Sequence, residues 1–110
     1  MAEEKKERPV WLDKWMTDRQ MAELYSPGMR STALSFLTHA NDASIEWTNL
    51  SLRGVIDNQH CSFRLAPSGE WIPRCTCGYT KPHCIHTYML HVMLKRVCRV
   101  EGWKIGRAHV

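Results

Sequence analysis

Four residues within a stretch of twelve have the types and the spacing to hold a metal ion: Cys75-Thr76-Cys77 and, after six intervening residues, Cys84-Ile85-His86. Thiolate sulfur and imidazole nitrogen are donors that Zn²⁺ prefers, at about 2.3 Å and about 2.0–2.1 Å in a tetrahedral shell. Two cysteines one residue apart converge on an ion if the chain turns just after them. Gly78 supplies backbone freedom for that turn, and Pro82 helps bring the chain back. Cys84 and His86 fall at the expected start of a helix, whose positive end favours thiolate. Four protein ligands leave no position open for water or substrate, so the expected ion is structural rather than hydrolytic. His83 and His91 compete with His86 for the fourth place. His83 adjoins Cys84 and points away in most geometries, while His91 lies roughly 10 Å further up the helix. His86 is the preferred ligand. The alternative, three buried or redox-active cysteines near a surface histidine, meets the objection that a Cys75–Cys77 disulfide would be strained. Cys61 and Cys98 read as core residues rather than a second metal site.

These ligands need a strand end to carry the first pair and a helix start to carry the second. Trp71 to Cys75 reads as a short strand, and Cys61, Phe63 and Leu65 alternate with polar or small neighbours as a half-buried strand does. Ile45, Trp47, Leu50, Leu52 and Val55 supply strand formers ahead of a turn at Asp57-Asn58-Gln59-His60, and Pro67-Ser68-Gly69-Glu70 forms a second turn. A three-stranded antiparallel meander fits this spacing. Cys84 to Val100 contains no Gly or Pro and carries Lys95, Arg96 and Arg99 in its last turns, where positive charge suits the helix dipole. Its apolar residues cover more than one face. Upstream, Val10 to Tyr25 reads as a helix containing Trp11 and Trp15, Ser26-Pro27-Gly28 breaks it, and Arg30 to Ala40 forms a second helix with Ala33, Leu34 and Leu37 on one face. The expected class is α+β: a small antiparallel sheet of about three strands, a C-terminal helix joined to it by the zinc site, and one or two preceding helices.

At 110 residues the chain accommodates one small domain, for which a metal staple is a common supplement. Forty-four per cent apolar residues and ten aromatics argue for a folded chain. No apolar run reaches the roughly 20 residues that span a bilayer, and the charged N-terminus lacks a signal-peptide pattern. A cytoplasmic location is expected, and there clustered cysteines indicate metal before disulfide. Charge is uneven. Residues 1–70 carry 8 basic and 10 acidic side chains (−2), and residues 71–110 carry 7 and 1 (+6). Ile105-Gly106-Arg107-Ala108-His109-Val110 matches the translation of a widely used sequencing adapter, with Lys104 compatible. Residues 104–110 are therefore expected to be non-native, and the natural gene to continue beyond Trp103. Without them, 13 basic and 11 acidic residues give +2, and three thiolates with one Zn²⁺ lower this to +1.

The run Glu70-Trp71-Ile72-Pro73-Arg74-Cys75-Thr76-Cys77-Gly78-Tyr79, followed by Pro82-His83-Cys84-Ile85-His86, resembles a SWIM-type zinc finger. That family carries Cys-x-Cys, a variable gap and Cys-x-His on a β-β-α unit. An aromatic or apolar residue before the first cysteine, as Trp71 is, and an apolar helix after the histidine, as over Tyr88 to Leu94, fit the same pattern. The lead-in from Ser31 to Leu65 is similar to the strand-rich segment preceding SWIM fingers in bacterial Snf2-type helicases. Ile85 departs from the pattern, standing where a basic residue is common. The resemblance covers roughly residues 29–97 and is strongest over 70–94; with the elements read above, the expected division is a flexible tail over 1–9, a helical lead-in over 10–43 and a SWIM-type zinc finger domain over 44–103.

The resemblance further implies a non-catalytic module within a larger DNA-dependent ATPase. This chain has no phosphate-binding G-x-x-x-x-G-K-[ST] loop, so no enzymatic activity, small-molecule substrate or membrane partner is expected. Arg74, Lys81, Lys95, Arg96 and Arg99 are the candidate nucleic-acid contacts. A protein-interaction module is the main alternative, because five tryptophans and a broadly apolar helix exceed what so small a core needs. The partner would then be another protein or the ATPase portion of the same full-length chain. A transposase-associated finger and an enzyme using Cys84 activated by His83 or His86 complete the alternatives.

Overall fold

The computed structural model describes residues 7–39, 43–56, 58–77 and 83–105. Four antiparallel strands form a meander in sequence order: β1 (Ala43–Trp47), β2 (Ser51–Ile56), β3 (Gln59–Leu65) and β4 (Trp71–Cys75). The expected sheet had about three. The difference arises at Thr48, where a segment that reads as one apolar strand reverses. Thr48 N–H donates to the Ser51 carbonyl at 2.9 Å, and its hydroxyl accepts the Leu50 N–H at 3.2 Å. The side chain thus makes a turn that no Gly or Pro announces. The next turn is tighter than expected, because Gln59 and His60 already belong to β3, and Asn58 takes a left-handed φ of 63°.

Period-two alternation divides the sheet into two faces. Leu52, Gly54 and Ile56, Cys61 and Phe63, and Trp71 and Pro73 are buried. Gly54 permits a close approach of helix α3 (Ile85–Glu101). A Cβ there would run into the Leu90 side chain and lie 2.7 Å from the Ser44 carbonyl. Helix α3 starts at Cys84, as its N-cap, and stops at Gly102, whose φ of 78° suits a C-terminal cap.

The expected helix over Val10 to Tyr25 is two pieces. A 3-10 turn (Leu12–Lys14) ends at extended Trp15, and α1 (Asp18–Leu24) begins behind a capping box in which Thr17 and Gln20 exchange side-chain hydrogen bonds. The break lets Trp11 and Trp15 both turn inward. Helix α2 (Pro27–His39) starts earlier than expected, because Ser26 accepts the Met29 N–H at 3.2 Å and Pro27 fits a first helical turn. Ala33 and Leu37 are buried on it, whereas Leu34 faces out. Trp11, Trp15 and Tyr25 join Phe63, Trp71, Leu90 and Leu94 in one hydrophobic cluster, so lead-in and sheet share a core.

A candidate metal centre

Cys75 ends β4, and the ladder continues one residue further. Thr76 N–H donates to the His60 carbonyl at 3.1 Å, and the Thr76 hydroxyl accepts the His60 N–H and donates to Gln59 Oε1, both at 2.9 Å. With Thr76 pinned toward β3, Cys75 and Cys77 flank it on one side. Cys84 arrives from the other direction as the α3 N-cap, in extended backbone (φ −105°, ψ 172°), and His86 follows in the first turn.

The potential ligand atoms of Cys75, Cys77, Cys84 and His86 all lie within 4.8 Å of one another, and Cys84 Sγ stands 3.9 Å from His86 Nδ1. A tetrahedral shell with these bond lengths separates sulfur from nitrogen by about 3.6 Å, so the Cys84–His86 pair needs only a small contraction. Three thiols and an imidazole suit a soft or borderline ion and disfavour Ca²⁺ or Mg²⁺, which take oxygen. Among the described residues, which include all five cysteines, there is no disulfide. The four side chains are therefore close enough, and of the right chemistry, to bind one metal ion.

Neighbours set the electrostatics. Burial pushes the Cys75 thiol far up from its ordinary value, partly offset by the Cys77 backbone. Without an ion the Cys75 proton stays on, and metal binding must release it. Cys61, opposite Cys75 on β3, is pushed up to about 12 by burial. Beneath Cys84, the Thr87 hydroxyl donates to the Cys84 carbonyl at 2.9 Å and accepts from Tyr25, 2.6 Å away. Burial raises the Tyr25 hydroxyl well above its usual range, so it remains a donor. Sequence reading missed Tyr25 and Thr87 as supports of the site, since their meeting spans 62 residues.

The other histidines are placed elsewhere. His83 packs edge-on against Tyr25 with centroids 5.3 Å apart. His91 is buried, accepting from Trp15 Nε1 at 3.0 Å and donating to Asp18 Oδ1 at 3.1 Å. Of the expected nucleic-acid contacts, Arg74 is exposed on β4, and Arg96 and Arg99 are exposed on α3. Lys95 is paired with Asp18 at 2.9 Å. Lys81 lies outside the described residues, as do Gly78 and Pro82.

The outer sheet face carries two further arginines. Register places Glu46, Arg53, Ser62 and Arg74 in one row across the four strands, with Arg64 diagonal to Arg53 and Arg74. Glu46 meets Arg53 at 3.4 Å, and a shallow groove of about 360 Å³ runs past Ser44, Arg53, His60 and Ser62. No helix among the described residues is long and apolar enough to cross a membrane. No protein-family model, curated protein or solved structure matches this chain.

Proposed function

We propose that this chain is a non-catalytic, zinc-stapled module that grips nucleic acid through the outer face of its sheet. The observation that carries the reading is the cluster of Arg53, Arg64 and Arg74 on adjoining strands, turned away from α3 and opposed on that face, among the described residues, by one carboxylate, Glu46. Guanidinium groups bind phosphate through paired N–H donors, and a fixed sheet spaces them without the entropy loss of a mobile loop. Zn²⁺ is the ion that fits three thiolates and one imidazole in a closed shell, and with no open position it holds the β4 end to the α3 start. The resemblance to SWIM fingers supports both parts and suggests a parent Snf2-type ATPase.

Fluorescence anisotropy with a labelled DNA duplex across a salt series tests the reading. Three phosphate contacts give a slope of log Kobs against log salt of about −2.7. Combined replacement of Arg53, Arg64 and Arg74 by Gln should flatten that slope and weaken binding at least about tenfold at low salt. No salt-dependent binding by zinc-loaded protein would refute it. Exposed Leu34 and Phe36 on α2 favour a second reading, contact with another protein. Binding of a separately produced ATPase portion, abolished by changes on α2 and indifferent to the three arginines, would select it.

A further inference from the structure

Cys61 stands directly opposite Cys75 in the β3–β4 ladder, and the hydrogen bonds fix what kind of pair they make. At one end Thr76 N–H bonds the His60 carbonyl, and at the other Ala66 N–H bonds the Glu70 carbonyl at 2.8 Å. Bonded and non-bonded pairs alternate along antiparallel strands. His60/Thr76 and Ala66/Glu70 are thus bonded positions, and Cys61/Cys75, Phe63/Pro73 and Leu65/Trp71 are non-bonded ones. Pro73, which has no N–H to give, independently sits where this parity requires. In non-bonded pairs the Cα atoms approach to about 4.5 Å and the side chains are closest, within the range of about 4.4–6.8 Å that a disulfide accepts. Cys61 is also outside the four-ligand set.

We infer that Cys61 and Cys75 are a peroxide-sensitive thiol pair whose closure to a disulfide removes Cys75 from the metal and releases the ion. The inference rests on the four-ligand reading of the centre. In the first step the Cys75 thiolate attacks one oxygen of hydrogen peroxide. The O–O bond breaks, sulfur becomes sulfenic acid, and the departing hydroxide takes a proton from solvent to leave as water. Cys61 sulfur then attacks Cys75 sulfur. The S–S bond forms, the S–O bond breaks, and the hydroxyl leaves as a second water with the Cys61 proton. Two sulfurs lose two electrons, and one peroxide becomes two waters. Cys77 and Cys84 are competing partners for Cys75. Cys77 is one residue removed, where a disulfide ring is strained, and Cys84 sits on another element. Only Cys61 is already held face to face with Cys75 by a continuous ladder.

Zinc-loaded wild type and Cys61→Ala are treated with hydrogen peroxide. Zinc release is followed with a chromogenic chelator, and non-reducing peptide maps are read by mass spectrometry. Wild type should release one zinc per chain, show the Cys61 and Cys75 peptides linked, and regain zinc after dithiothreitol. Cys61→Ala should release zinc without that link and carry Cys75 onward to sulfinic acid, which dithiothreitol does not reverse. Wild-type maps with Cys61 still a free thiol and Cys75 linked to Cys77 or Cys84 would overturn the inference, as would equal zinc recovery in the two proteins. If Cys61→Ala does not fold, the wild-type map alone decides. Zinc content before oxidation tests the metal reading separately, and the same map on metal-free protein still reports whether these two sulfurs pair.

Discussion

Cys84, the N-cap of α3, and Cys98, on α3 itself, are both buried thiols, and only Cys84 belongs to the candidate ligand cluster. Exchanging each for Ser removes one sulfur with little change in volume, so metal content reads ligation and not packing. Cys84→Ser should lose stoichiometric zinc in elemental analysis, while Cys98→Ser keeps it at a stability loss of roughly 1–3 kcal/mol for the buried hydroxyl. Equal zinc in both variants would contradict the assignment. His91 offers a different single-residue test. Trp15 donates to its Nδ1 and its Nε2 donates to Asp18, so the neutral ring satisfies both neighbours and a second ring proton would face the Trp15 N–H. Burial lowers its pKa from 6.5, Lys95 adds to that, and Asp18 works against it. A depressed histidine leaves the unfolded chain holding more protons below pH 6.5, so stability is full above that value and falls as pH drops below it. Asp18, held below its ordinary value chiefly by Lys95, adds a further loss in stronger acid. Denaturant unfolding of wild type and His91→Gln at pH 7.5 and pH 5.5 should show the larger acid loss in wild type. The metal ligands respond to acid alike in both proteins, so parallel losses would remove His91 from the account.

Among the elements, those that carry the ligands were the most legible. The alternation of Cys61, Phe63 and Leu65, the strand over Trp71–Cys75 and the unbroken helix after Cys84 all occupy their expected places, because each has a clean period and chemical punctuation at its ends. The Thr48 reversal was hidden by its own mechanism, a hydroxyl closing a turn between apolar residues. Trp11 and Trp15 at helical spacing misled for a related reason, since a 3-10 turn followed by extended backbone brings both rings to the core. The arginine cluster was invisible without strand register, because Arg53, Arg64 and Arg74 come together only across three strands. One close approach between elements is equally unreadable from sequence. Gly54 lets α3 lie on β2, and a methyl there collides with Leu90 and the Ser44 carbonyl. Gly54→Ala should cost about 1–3 kcal/mol in denaturant unfolding, more than Thr17→Ala, which removes an N-cap worth about 1 kcal/mol. The reverse order would mean that α3 can move off the sheet freely.

For the whole molecule the question is whether metal makes the fold or only reinforces it. Small zinc fingers unfold without their ion because almost nothing else holds them. This chain has a second centre of cohesion. Trp15 lies 4.7 Å from Trp71, 5.2 Å from Phe63 and 5.4 Å from Trp11, centroid to centroid, and Trp11 and Trp15 are almost fully buried. Trp71 starts β4 and Cys75 ends it, so the aromatic cluster and the metal site sit at opposite ends of a strand about 13 Å long. Helix α3 also touches both regions, with Cys84 as its N-cap at one end and His91 bonded to Trp15 further along. Losing the ion frees the β4 end and the α3 start but leaves the His91–Trp15 anchor and the shared core intact. An ion present at about a thousand times its dissociation constant contributes roughly 4 kcal/mol. For a domain of this size that corresponds to a fall in Tm of roughly 15–20 °C on chelation. Stripped protein at low temperature should therefore keep the blue-shifted tryptophan emission and near-UV dichroism of the loaded form, while melting earlier. Immediate loss of both signals on adding chelator would show that the aromatic cluster cannot stand alone and that the metal organises the entire chain.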